Sequence, residues 1–422
     1  MEGTEESLRR ELSEWHRCGT AQEFPYDAVI TRLRRVGKHF LSGPLLGLLA
    51  DCRETLRKQP GRSGQEAPDV FLARFLDVVL DKYDDRYDYP SYTALTLLRP
   101  TGPGEPAGLR DRTVLLLLAD LVRFERLALA GTPAAPDGML PDARLLGKRL
   151  RLAVRVMEPA ALRVLDGAVD PVSVAAAPGR TPAGALADAV LASACAQERR
   201  MLLTSVQPVY VLHDEYLFLR VLQSFETTFR FMSRTLGRAV GVLRGECPGD
   251  AATLIASVAD VLRESLPLFS LLATMQPASF REFRQYTDGA SAIQSEGYKT
   301  FESYCSTPLR ARLDSPAFTS VPGVREAVLA GRETVQDTWQ DVISSGWLAE
   351  PDAAAVRAAA QHLEAVHQRW KQTHYRLAVR MIGTRAGTGS TEGVPYLKSV
   401  VAGRLFPALQ PALTLGQQTA AG

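Results

Sequence analysis

Cysteine is scarce and poorly placed for any covalent or metal framework. The 422 residues hold five, Cys18, Cys52, Cys195, Cys247 and Cys305, odd in number and widely separated. That spacing implies neither a disulfide scaffold nor a zinc site. Net charge is almost lacking as well: at +2, with Lys and Arg scattered, nothing favours nucleic acid or a membrane surface as a partner. Long apolar runs are missing too. The longest, Val114 to Val122, contains Asp120 and stops at Arg123, far short of the about 20 residues that span a bilayer. The N-terminus, MEGTEESLRRELSEWHRC, mixes both charge signs and has no apolar core. It is not a secretory signal, and a cytoplasmic location is expected. Period-two alternation is nearly absent, which argues against a substantial sheet.

Helical periodicity fills the space that these absences leave. At 46% hydrophobic and 23% charged, the composition is that of a soluble globular chain able to bury a sizeable core. The spacing predicts helices over roughly 4–18, 25–58, 67–84, 110–130, 142–166, 185–204, 209–244, 250–274, 323–345 and 352–382. Breakers separate them, among them Pro60-Gly61-Arg62-Ser63-Gly64, Thr101 to Pro106, Gly131 to Pro136 and the Ala/Pro/Gly-rich stretch from Val172 to Gly184. No internal repeat is present. The expected class is all-α, with residues 1–200 as an N-terminal helical region for packing or oligomer contacts and residues 201–422 as the functional domain.

Two histidines stand on apolar helical stripes. Leu363, Trp370, His374, Leu377 and Met381 recur at three-, four- and seven-residue spacing, so His374 points inward, just before a glycine-rich loop that begins near Gly383. His213 shares a stripe with Leu217, Val221 and Phe225. A buried imidazole needs a partner on at least one nitrogen. Spacing alone suits a hydrogen-bonded core histidine as well as a metal ligand.

The letters around these residues carry a resemblance. Trp370-Lys371-Gln372-Thr373-His374, then Arg380-Met381-Ile382-Gly383 and Ala386-Gly387-Thr388-Gly389, resembles the C-terminal signature of the tryptophan 2,3-dioxygenases. The resemblance implies a helical-bundle haem domain, with His374 as the axial ligand of the haem iron and Thr388 holding the ammonium of an amino-acid substrate. His367, one heptad earlier on a similar face, is the alternative ligand. A second block, Phe280 to Tyr286 followed by Ala290-Ser291-Ala292-Ile293-Gln294-Ser295, resembles the family's phenylalanine-arginine segment and serine-rich turn. It implies Arg284 on the substrate carboxylate, with Phe280 and Ser291 also at the substrate. A planar guanidinium suits this work because it can give a carboxylate two parallel charge-assisted bonds.

Leu212 to Leu217 resembles the family's distal-histidine helix more loosely and implies His213 as the catalytic histidine near the substrate ring. Tyr89-Pro90-Ser91-Tyr92 resembles paired tyrosines that family members lend to a neighbouring subunit. That implies substrate contacts from Tyr89 and Tyr92 and a homo-oligomer; an ordered loop against the protein's own surface is the other reading. No Cys-His attachment motif is present, so the implied cofactor is non-covalent haem b, with O2 as co-substrate. The resemblance covers about residues 200 to 408 and touches the chain near Tyr89. Departures fall at Ser390-Thr391-Glu392, Ala292-Ile293 and Val209. The function implied is a haem-dependent oxygenase that inserts dioxygen across the indole C2–C3 bond of tryptophan or a similar aromatic amino acid. The alternatives are a haem monooxygenase hydroxylating tyrosine or a modified tryptophan, and a non-enzymatic haem sensor.

Overall fold

The computed structural model describes residues 5–58, 67–100, 108–132, 139–165, 182–245, 249–346, 350–383 and 393–409; among them there are helices, turns and no strand. The all-α expectation holds. Two compact units are assembled from interleaved segments: 1–228, 264–295 and 377–394 form the first, and 229–263, 296–376 and 395–422 the second. No helix of the described residues is long and apolar enough to cross a membrane.

At the centre of the first unit is the helix Leu109–Leu129, against which Ala143–Val164 and Pro182–Ala192 pack. It is apolar on nearly every side: Val114 to Ala119, Leu121 and Val122 are all at most 2% exposed. A helix hydrophobic all round must be enclosed by others, and this run is therefore core. Four expected helices, 25–58, 185–204, 250–274 and 323–345, are each broken. The 25–58 stretch divides into Tyr26–Val36 and Gly43–Lys58 because Gly37, with φ +87°, ends the first helix. Its Cβ would sit 2.6 Å from the Val209 carbonyl oxygen, so only glycine fits. The 250–274 stretch breaks before Pro267, which lacks an N–H and opens a new helix at its first turn.

The helix His213–Leu243 enters this core through four consecutive polar side chains, His213, Asp214, Glu215 and Tyr216, exposed by only 1, 0, 0 and 7%. Each is bound by another segment, His213 and Tyr216 both by the helix Leu109–Leu129. His213 Nε2 donates to Glu125 at 3.0 Å, and Asp214 accepts from Arg149 at 2.6 Å. Glu215 accepts from the Val209 and Tyr210 amides at 2.8 and 3.0 Å and from the Tyr92 hydroxyl at 3.3 Å. The Tyr216 hydroxyl donates to Asp120, which also accepts from Arg220 Nε at 2.9 Å. Arg149 joins the set by donating to Glu125 at 3.1 Å and to the Thr274 hydroxyl at 3.1 Å. Pairing on this scale is what makes such burial tolerable, since an unpaired buried charge costs several kcal/mol.

Within the second unit, the Glu350–Ile382 helix is anchored by Glu364, whose carboxylate accepts from the Leu405 and Phe406 amides at 2.7 and 3.1 Å. Arg312 grips Glu302 through two bonds of 3.0 Å. The short helices Arg310–Leu313 and Pro316–Thr319 escaped the periodicity because four residues show too few turns of it.

Replacing Arg149 with Met should therefore destabilise the first unit by about 3 to 5 kcal/mol, because Glu125 and Asp214 lose their shared cation while staying buried. Urea denaturation followed by circular dichroism measures this. A midpoint equal to the wild type's would show that the cluster is not what holds the helix.

Candidate functional site

Four aromatic rings meet in the first unit. Phe218 lies 5.6 Å from Phe280, 5.5 Å from Phe283 and 6.4 Å from Tyr92, centroid to centroid. Phe280 and Phe283 stand edge to face at 5.4 Å, as three-residue spacing on the helix Pro277–Arg284 allows. Phe283 is fully buried, whereas Phe218 and Phe280 are half-buried and keep an open face. Arg284 is half-buried on the same helix, next in sequence to Phe283. Its carbonyl accepts from the Thr287 amide and hydroxyl at 3.2 and 3.0 Å, which turns the chain into the 287–291 loop. There Gly289, at φ +96°, comes so close to Tyr87 that an added Cβ would stand 3.4 Å from its ring. Ser291 caps the following 3₁₀ turn, its hydroxyl accepting from the Ile293 amide at 3.4 Å. Thr388 and the rest of the glycine-rich loop lie outside the described residues.

Tyr89 and Tyr92 join this cluster from within the same chain. They occupy a single helical turn capped by Asp88 and are 3 and 2% exposed. The Tyr89 hydroxyl donates to Glu226 at 3.0 Å, and Tyr92 donates to Glu215. The resemblance implied tyrosines lent to a neighbour. Here they pack against their own chain, because the acceptors that satisfy them are buried on its own helix. Burial pushes the Glu215 carboxyl up to about 8, opposed by the hydrogen bonds from Val209, Tyr210 and Tyr92.

His213 does not join the aromatic wall. Its ring stacks on Phe124 at 4.5 Å and gives Nε2–H to Glu125, while Nδ1 stays buried without a hydrogen-bond partner. A residue five positions before Phe218 points about 140° around the helix from it. The stripe His213, Leu217, Val221 faces the core, with exposures of 1, 0 and 0%. The residue missed was Phe218. Its signal was the neighbouring stripe, in which Phe218 and Leu222 stand one turn apart. Gln294 was also overlooked, although Ser291-Ala292-Ile293-Gln294 has the spacing of a capping box.

In the second unit, His374 is half-buried beside Trp370, ring centroids 5.4 Å apart, and Trp370 packs edge to face on Phe229 at 5.7 Å. Desolvation holds the His374 imidazole down to about 4, hence neutral at pH 7. Iron takes imidazole in that neutral form. Among the described residues no group of three or more His, Cys, Asp or Glu side chains is arranged to hold a metal ion. A macrocycle carrying its own equatorial donors and needing one protein ligand fits this donor set. The Nε2 of His367 is taken by the Tyr298 hydroxyl at 2.8 Å. Burial, with Lys371 nearby, holds that ring down to about 3.

Both imidazoles have folded-state pKa values below the unfolded one, so the unfolded chain binds more protons between these values. Stability must then fall as pH drops below about 6.5 and go on falling towards the folded values. Urea midpoints measured from pH 7 to pH 4 should show the loss, and His367→Gln, which keeps an acceptor for Tyr298, should make it shallower. Identical slopes in variant and wild type would remove His367 from the account.

No protein-family model matches the chain. Individual proteins do. The tryptophan 2,3-dioxygenase of Anaeromyxobacter sp. (strain K) is 26% identical over 238 residues, which cover 49% of this chain and 89% of that protein. Tryptophan 2,3-dioxygenase of Nocardioides sp. (strain ATCC BAA-499 / JS614) is 29% identical over 225 residues, covering 47% of this chain and 83% of its own length. For Burkholderia mallei (strain SAVP1) the figures are 28% over 230 residues, 47% and 75%. Over about half of its length, then, this chain is similar to the tryptophan 2,3-dioxygenases, the same family that its motifs resemble.

Proposed function

We propose that this protein is a haem-dependent oxygenase acting on tryptophan or a closely similar aromatic amino acid. The observation that carries the reading is Arg284 on the same short helix as Phe280 and Phe283, a cation of the kind that suits a carboxylate, next in sequence to an aromatic wall. Such a pairing suits a molecule that is anionic at one end and a flat ring at the other. Arg284 binds the carboxylate through its guanidinium fork. Thr388 takes the ammonium, and Phe218, Phe280 and Tyr92 fix the plane of the ring. Holding both ends restricts the substrate to one orientation, which can supply roughly 7 to 11 kcal/mol of a bimolecular barrier.

His374 would hold the haem iron, with Trp370 as an apolar wall beside it. Bound there, haem would supply the oxygen chemistry. Residues 201–422 carry the catalytic groups. The helices of residues 1–200 hold the His213–Leu243 helix in place and contribute Tyr89 and Tyr92. His213 has no part in binding the ring; it fixes the helix that presents Phe218.

Purified ferrous protein given L-tryptophan and air should yield a product heavier by two oxygen atoms in mass spectrometry. A gain of one oxygen would assign a monooxygenase instead, and no turnover across an aromatic amino-acid panel would sink the enzyme reading. His374→Ala should abolish stoichiometric haem binding, read as loss of the Soret band. Arg284→Ala should keep haem and lose affinity for the amino acid. Tryptamine, which lacks the carboxylate, should bind the wild type poorly and be little affected by that change.

His213→Gln should lower stability by roughly 1 to 3 kcal/mol, since it disturbs a buried bond to Glu125. Its turnover per folded molecule should stay near the wild-type value. A fully stable variant with turnover reduced a hundred-fold would return His213 to the catalytic site.

A further inference from the structure

One tyrosine of the second unit has no part in the proposed reaction, yet a single ring separates it from the candidate iron ligand. Tyr298 stacks on Trp370 at 5.5 Å with 24° between the planes, and Trp370 borders His374 at 5.4 Å, centroid to centroid. The Tyr298 hydroxyl and His367 Nε2 lie 2.8 Å apart, and the imidazole tautomer with its proton on Nδ1 lets the hydroxyl donate. His367 is buried and neutral. An aromatic path thus runs from His374 through Trp370 to a phenol whose proton already has an acceptor. Desolvation, with the Glu302 charge nearby, pushes the Tyr298 phenol well above its usual range, so no phenolate is available. An electron can leave this ring readily only if the proton leaves with it, and His367 is placed to take that proton.

We propose that Tyr298 is a one-electron donor which, through Trp370, reduces haem that hydrogen peroxide has oxidised, while His367 takes the phenol proton. This rests on the reading of His374 as the haem ligand. Each transfer breaks the Tyr298 O–H bond: the electron goes to the oxidised haem and the proton to His367 Nε2. A small reductant such as ascorbate then returns an electron to Tyr298, and His367 gives its proton back to the phenol oxygen. The proton that ascorbate releases goes to solvent and replaces one consumed where peroxide becomes water. Two such turns reduce one hydrogen peroxide to two waters and oxidise two ascorbates by one electron each. Lys299 Nζ, 4.7 Å over the Tyr298 ring, opposes the loss of an electron, and its ion pair with Glu302 at 3.6 Å offsets that charge. Because burial makes His367 a weak base, the proton returns as soon as the electron does. Tyr298 is therefore a relay and not a store.

The test reads the radical and not turnover. Haem-loaded full-length protein without amino acid is mixed with hydrogen peroxide, rapidly frozen and examined by electron paramagnetic resonance. A tyrosyl signal should form, and it should narrow when the protein is made with ring-deuterated tyrosine. Tyr298→Phe keeps the stack on Trp370 but has no O–H, so it should lose the signal with its Soret band unchanged. His367→Gln accepts the same hydrogen bond but cannot take a proton, and should form the signal roughly a hundred-fold more slowly. Should Tyr298→Phe fail to fold, a nitroso spin trap added to the wild type should leave its adduct on Tyr298, located by peptide mass spectrometry. An undiminished signal in Tyr298→Phe, an adduct only on other residues, or equal rates in His367→Gln and wild type would overturn the relay. So would a wild type that keeps its Soret band and gives no signal, and each of these outcomes leaves His374 standing as the ligand. Wild-type protein that takes up no haem would sink that assignment and the relay with it.

Discussion

Everything in the first unit depends on the burial of four polar side chains at the start of one helix. His213, Asp214, Glu215 and Tyr216 would each cost free energy in the core if left alone. Glu125, Arg149, Tyr92 and Asp120 satisfy them, and all four come from residues 92 to 149. The helix cannot form there without the N-terminal helices, and those helices would be left with unpaired charges without it. A region that looks accessory in the sequence is thereby a structural requirement of the helix His213–Leu243.

This clamp also fixes the rotation of the helix. With His213 drawn to Glu125 and Tyr216 to Asp120, the 218 position is turned towards Phe280 and Phe283. A helix has one rotational setting, so seating the polar residues in the core decides which aromatic is left for the wall. The histidine that the motif favoured is then engaged elsewhere, and the wall itself is built from phenylalanines and a tyrosine. Such a wall recognises a ring by shape and stacking, while polar discrimination falls to the ends of the ligand.

In the second unit a different constraint operates. Desolvation keeps His374 and His367 neutral, and the Nε2 of His367 pairs with the Tyr298 hydroxyl. Two histidines one heptad apart are equivalent by spacing and distinct by environment. Trp370, between them in sequence, stacks on Tyr298 at 5.5 Å and also borders His374, so one indole separates the two surroundings.

The sequence by itself determined the helical class, the apolar stripe under His374, and the order of blocks that matches the tryptophan 2,3-dioxygenases. These are legible because periodicity and short motifs are local properties of the chain. It also placed Phe280, Phe283 and Arg284 on one short segment, where three- and four-residue spacing already makes them neighbours. Only the tertiary structure decided that His213 belongs to an ion cluster, that Asp120 in the longest apolar run is the counter-ion of Arg220, and that the hydroxyls of Tyr89 and Tyr92 are tied to Glu226 and Glu215. Each of these is a pairing between residues roughly 90 to 140 positions apart. A periodicity states which face of a helix is buried, but the partner that waits on that face is chosen by how the other helices pack.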